Sequence, residues 1–294
     1  MKSLSNRTKG ILSIVISAFG FSLMALFVRL CDDYGSPISA FQKGFFRNLV
    51  AFAIALIVFL RTPHASSVLC GLGRGRAIFP LLLRSILGTA GIFAHFYALG
   101  KISIAEGLTL NKTAPFFTVV FAWMFLGERA GRRQLLALAG AFLGVILIAK
   151  PGFAGASAFP LMIGLLSGIG AGGAYACVRA LRRHALSPSF IILFFSAFSC
   201  LASVPFMLAG FDPMTAEQVL ILFGAGTGAA IGQFGITLAY GYAAPREIAV
   251  FDYTGILFAS ALGFLFFAQV PDAMSVLGFL AILFAAVLLA HSPH

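Results

Sequence analysis

The stretch ISIAEGLTLNKTAPFFTVVFAWMFLGER, Ile102–Arg129, decides the fold. From Ile102 to Leu126 it is an apolar run long enough to cross a bilayer, which takes about 20 mostly apolar residues. The run is continuous rather than alternating, so it reads as a helix and not as a barrel strand. Deep inside it sit Asn111 and Lys112, just ahead of Pro115. Proline cannot donate to the helical ladder and predicts a kink there. Gly127, Glu128 and Arg129 then close the run. The stretch is a membrane span with a polar, bent interior.

Nine more runs of this kind surround it. The ten predicted spans are 10–30, 38–60, 77–98, 102–126, 133–150, 160–180, 189–209, 218–241, 245–268 and 272–291. The fifth is short. The composition agrees: 294 residues, 60% hydrophobic, 33 Phe, and 10% charged against about 25% in a soluble domain. Mean hydropathy is +1.01. Such a chain is neither a soluble enzyme, nor a disordered protein, nor an ordinary nucleic-acid binder. The first run follows basic residues, as in a signal peptide, but lacks an A-x-A cleavage site and reads as a retained span. Cys31, Cys70, Cys177 and Cys200 form no CxxC and read as small hydrophobes without a disulfide framework.

The net charge of +11 is explained by orientation rather than by nucleic acid. With the N-terminus in the cytoplasm, Lys2, Arg7, Lys9, Arg61, Arg74, Arg76, Arg129, Arg132, Arg133, Arg179, Arg182, Arg183 and Arg246 fall on the cytoplasmic side. Only Arg29, Lys101 and Lys150 fall outside. This bias predicts both termini cytoplasmic. The longest loop, Arg61 to Arg76, is too short for a soluble domain, so function must lie within the helix bundle.

The chain also repeats. Ser17, Gly20, Val28 and Arg29 recur 150 positions later as Ser167, Gly170, Val178 and Arg179. Gly91, Phe93, Ala98, Gly100 and Glu106 recur 141 positions later as Gly232, Phe234, Ala239, Gly241 and Glu247, and Thr113 as Thr254. Each half holds an odd number of spans, so the second enters the membrane from the opposite side. Inverted repeats of this kind predict a secondary transporter with its site near the midplane, between the halves.

The residues resemble the drug/metabolite transporter superfamily, specifically its EamA-type members. The resemblance rests on Leu110–Phe116 with Leu126–Arg129, on Gly144 to Pro151-Gly152, and on Ala239-Tyr240 through Ala249–Gly255. It implies two EamA-type repeats, 1–152 and 153–294, around a central cavity, in a bacterial inner membrane. It does not fix a substrate. Gln269 stands where the second repeat usually has an acid.

Ionisable groups inside spans need a partner, a wet cavity or a route to the interface. Lys43 and Arg47 share a face of the second span, and Arg47 lies about 13 Å in from residue 38 at ~1.5 Å per residue. Arg47 either binds a substrate carboxylate or phosphate, or pairs with Asp252. Lys43, nearer the outer face, is expected to snorkel. Asn111, Gln233, Tyr175 and Tyr253 are further candidates for binding. Asp252 is the deepest acid and would carry a coupling proton, bind an amine, or neutralise Arg47 or Lys112. Arg84, His95 and Lys112 are candidates for coupling or gating. Trp123, Tyr97 and Tyr240 offer rings for stacking. Gly164-Gly168-Gly172, Gly224-Gly228-Gly232 and Gly140-Gly144 predict close helix seams, one of which could form a homodimer.

The reading is a secondary transporter of a small polar metabolite, favouring an amino-acid-like or other anion-bearing solute. No cofactor or metal is expected, and the partners are the solute and membrane lipid. Cationic or quaternary amine solutes are the alternative. An integral-membrane enzyme is disfavoured by the lack of HExxH, GxSxG and paired carboxylates, and there is no GxxxxGK[ST] for ATP. A channel would favour rings of charge in an oligomer, and the inverted repeat argues against a typical receptor.

Overall fold

A computed structural model describes residues 4–36, 38–61, 77–99, 101, 104–149, 158–268 and 270–290. The helices are α1 (Asn6–Asp33), α2 (Ala40–Arg61), α3 (Ile78–Leu99), α4 (Ile104–Asn111), α5 (Ala114–Leu126) and α6 (Arg132–Ala149). There follow α7 (Ala158–Arg183), α8 (Pro188–Ala209), α9 (Ala216–Tyr242), α10 (Pro245–Ile248), a 3-10 turn (Ala249–Tyr253), α11 (Thr254–Phe267) and α12 (Ala273–Ala290). Among the described residues there is no strand, as a bilayer demands of a chain whose backbone must bond within each segment. Residues 62–76, Gln269 and Lys150-Pro151-Gly152 lie outside the described residues.

Eight described helical segments are long and apolar enough to cross a membrane, α10 to α11 counting as one. The segment expected as a single fourth span is broken at Lys112-Thr113 into α4 and α5. The break has two local causes. Pro115 lacks the N–H that would continue the ladder, and the Thr113 hydroxyl donates to the Leu110 carbonyl at 2.6 Å, taking up a backbone acceptor. Helix α5 ends at Gly127, whose φ of 70° is the left-handed conformation that glycine adopts without strain. Elsewhere the ends are capped by sequence. Ser5 accepts from the Thr8 N–H, Ser187 from the Phe190 N–H, and Thr215 with Gln218 forms a reciprocal capping box.

The packing comes in matched pairs. α1 lies against α9, and α7 lies against α3. α1 also meets α11, while α7 meets α5. α2 packs on α8, and α6 on α12. Exchange the first five runs for the last five and this set maps onto itself. Particular glycines carry the same exchange. A methyl added at Gly20 would sit 2.6 Å from the Gly232 nitrogen, and one at Gly170 would sit 3.0 Å from the Leu87 carbonyl oxygen, beside Gly91. Gly20 and Gly170 are positions matched in the sequence at an offset of 150, as Gly91 and Gly232 are at 141. The close approach lets backbones touch where lipid gives helices no hydrophobic reason to associate.

The glycine stripe of α7 seats the broken span. A methyl at Gly168 would meet the Leu110 carbonyl oxygen at 2.6 Å, and one at Gly172 would meet the Ala114 carbonyl oxygen at 2.9 Å. Gly168→Val is therefore expected to lose about 1–3 kcal/mol, the cost of overpacking a tight seam. Thermal unfolding in detergent should show a lowered Tm. Gly140, with nothing within 4 Å of an added methyl, is the matched control and should tolerate Ala.

The bundle is apolar outside and polar within. Phe125 is 73% exposed and Leu208 83%, while Gln42, Arg47, Asn48, Arg84, Gln233 and Asp252 are buried. Trp123 and Tyr97 face outward, so these two candidate stacking rings lie on the lipid-facing surface. Lys43, expected to snorkel, is instead buried.

Candidate functional site

Two interrupted helices meet at the centre. The α4–α5 break and the 3-10 turn Ala249–Tyr253 lie at equivalent places in the two halves. Across them Lys112 Nζ lies 3.3 Å from Asp252 Oδ2 and donates also to the Asp252 backbone carbonyl at 3.3 Å. The interrupted backbone thus supplies an acceptor that a regular helix would have used internally.

This pairing decides between the two expected partners of Asp252, Arg47 and Lys112: its carboxylate is engaged by Lys112. The reason is positional: the turn bearing Asp252 faces the turn bearing Lys112. Arg47, on α2, is 5% exposed, and its Nε has no hydrogen-bond partner. Among the described residues no carboxylate forms an ion pair with it.

Arg84 comes from α3 and is 2% exposed. Its Nη2 donates to Gln233 Oε1 on α9 at 2.8 Å, and its guanidinium lies over the Phe195 ring, 3.4 Å from the centroid. It is thereby held in the bundle rather than reaching for an interface. Gly88 makes room for it, since a methyl there would lie 2.8 Å from Nη1. Its Nε is also unpartnered.

Tyr175, on α7, is partly buried against the apolar core. Its ring centroid is 5.9 Å from that of buried Tyr240. His95, on α3, leaves Nδ1 without a partner. Asn111 donates to Ser167 Oγ at 3.3 Å and so ties the break to α7. Tyr253 is set apart. It is fully buried in the apolar core beside Phe142, with its hydroxyl unpartnered. The structure thus joins Lys112 to Asp252 and Arg84 to Gln233, while Tyr253 lies in the apolar core.

Sequence reasoning missed a second polar feature. At one end of the bundle, Arg179 Nε donates to Glu128 Oε1 at 2.9 Å, joining the end of α7 to the end of α5. Arg246 donates to the Arg129 carbonyl at 2.8 Å, and Lys9 lies over the Tyr242 ring at 5.9 Å. Arg29, the repeat equivalent of Arg179, lies instead over the Phe267 ring at 4.6 Å. The recurrence of Arg29 as Arg179, together with Glu128 in the Leu126–Arg129 stretch, was the available signal. At the other end Gln42 Nε2 donates to the Asp212 carbonyl and its Oε1 accepts from the Asp212 N–H, at 2.8 and 3.0 Å. Among the described residues no group of three His, Cys, Asp or Glu could hold a metal.

Comparison with known proteins agrees with this architecture. Residues 8–150 match the EamA-like transporter family. The pseudopaline exporter CntI of Pseudomonas aeruginosa is 30% identical over 287 residues, covering 96% of each chain. A riboflavin transporter of Rhizobium johnstonii is 28% identical over 292 residues, covering 96% of this chain and 91% of that one. One crystal structure superposes with a TM-score of 0.70 at 16% identity, over 93% of this chain and 95% of the other, a likeness of fold alone. The bacterial relatives point to the inner membrane. The chain belongs to the EamA-like transporter family of the drug/metabolite transporter superfamily, and is a multi-pass integral membrane protein of the transporter class.

Proposed function

We propose that the protein is a secondary transporter that moves a small polar metabolite bearing a carboxylate or other anionic group, by alternating access. The observation that carries the anionic preference is Arg47, a buried guanidinium whose Nε has no hydrogen-bond partner and which, among the described residues, forms no ion pair. An isolated buried charge costs several kcal/mol after relaxation, so a protein keeps one where an opposite charge arrives to meet it. A guanidinium fork suits a planar carboxylate. The cationic alternative needs a free acid, and Asp252 is engaged by Lys112.

In this reading residues 1–152 and 153–294 are two inverted five-span repeats, making ten spans with both termini cytoplasmic. The matched packing pairs support the repeat. Contacts joining Lys9, Glu128, Arg129, Arg179 and Arg246 at one end support a basic cytoplasmic face. The Glu128–Arg179 pair joins the first half to the second there, and alternating access would break it as that face opens. Arg47, Arg84, Asn111, Tyr175, Gln233, Lys112 and Asp252 line the site, with His95 beside them.

The test is thermal unfolding of purified protein against carboxylates, nucleosides, sugars and quaternary amines. A ligand at 100 times its Kd stabilises the folded state by about 2.7 kcal/mol. Carboxylates should raise Tm and quaternary amines should not. A shift confined to the cations would overturn the anionic reading.

A further inference from the structure

We infer that the solute is a dianion, one anionic group seating on Arg47 and the other on Arg84; this rests on the anionic reading of the same site. Two buried guanidinium groups lack a counter-charge. Arg47 has no partner at Nε, and Arg84 has only a neutral amide oxygen at Nη2 and an aromatic face, with Nε again unpartnered. Among the described residues, no carboxylate lies within ion-pair distance of either. Asp252, the acid at the 3-10 turn, is paired with Lys112.

Both lie against the same stretch of α8: Asn48, next to Arg47 in the chain, donates to Ser199 Oγ at 2.9 Å, and Arg84 lies over Phe195, one turn from Ser199, so each buried charge raises the cost of the other. A single carboxylate would meet one and leave the second buried and uncompensated. Two anionic groups on one small framework would meet both. Arg84 keeps its place through Gln233 and Phe195 rather than through an acid, so an arriving anion displaces no ion pair. The arrangement selects by charge number: a monoanion binds through Arg47 alone, and a matched dianion through both.

The probes are malonate, succinate, glutarate and adipate, each against its own monoamide, which keeps the length and removes one charge. Wild-type protein should bind at least one dicarboxylate at least tenfold more tightly than its monoamide in thermal titration. In Arg84→Gln that advantage should fall below threefold, the dicarboxylate losing far more affinity than its monoamide. Arg84→Lys keeps the charge and should retain part of the advantage, which separates lost charge from lost folding. Equal affinity of every dicarboxylate and its monoamide in the wild type, with binding still dependent on Arg47, would overturn the dianion and leave the anionic reading standing. Absence of any carboxylate binding would overturn both.

Discussion

Arg47→Met binds carboxylates at least roughly 30-fold more weakly than wild type, yet the ligand-free variant melts at or above the wild-type temperature. The two halves of this result come from one fact. Arg47 is buried on α2 with Nε unpartnered, so in the empty protein its charge is a desolvation cost with little return. Methionine keeps most of the volume and removes the charge, so stability holds or rises. In the bound state the guanidinium forms a buried, hydrogen-bonded pair with the carboxylate. Truncating such a pair costs about 2–5 kcal/mol, and the lower bound is the roughly 30-fold stated above. Arg47→Ala should lose binding equally but melt lower, because it leaves a cavity. A structural role for Arg47 predicts the reverse for Arg47→Met: lowered Tm and intact binding.

Asp252→Asn is the second large effect, and its sign in stability is opposite. It leaves the Lys112 ammonium facing an amide and a backbone carbonyl. Breaking a buried ion pair from one side costs about 3–5 kcal/mol, and the lower end applies because the Lys112 side chain keeps 21% of its exposure. Tm should fall clearly. Replacing both partners, as Lys112→Met with Asp252→Asn, should restore most of it, since no charge is then left unpaired. Were Asp252 instead the carrier of a coupling proton, the single variant would keep its Tm and its exchange activity and lose only pH-driven uptake.

The apolar helices were legible because a lipid environment writes itself as long apolar runs; Pro115 announced a kink in the fourth, but not the full break between α4 and α5. The matching 3-10 turn had no such signal: Ala249–Tyr253 contains no proline or glycine, and only its repeat relation to the Asn111–Thr113 stretch points to it. The members of the site were found through one rule, that polar groups at mid-span need a reason. Their partners were not. Position along a helix gives depth, but which cation faces Asp252 depends on the rotation and tilt of α2 and of the α4–α5 break. Sequence alone left Arg47 and Lys112 as equal claimants. Tyr253 shows the same limit, since adjacency to Asp252 did not reveal that its ring turns into the apolar core. The Glu128–Arg179 pair escaped because both residues sit at span ends, where basic residues have a sufficient explanation in orientation.

The most direct test of the account is counterflow in proteoliposomes loaded with the best-binding carboxylate and diluted into a trace of its labelled form. Wild-type protein should accumulate label transiently above equilibrium, and Arg47→Met, equally incorporated and folded, should not. Equal accumulation by the two proteins would contradict the claim that Arg47 holds the anion during transport.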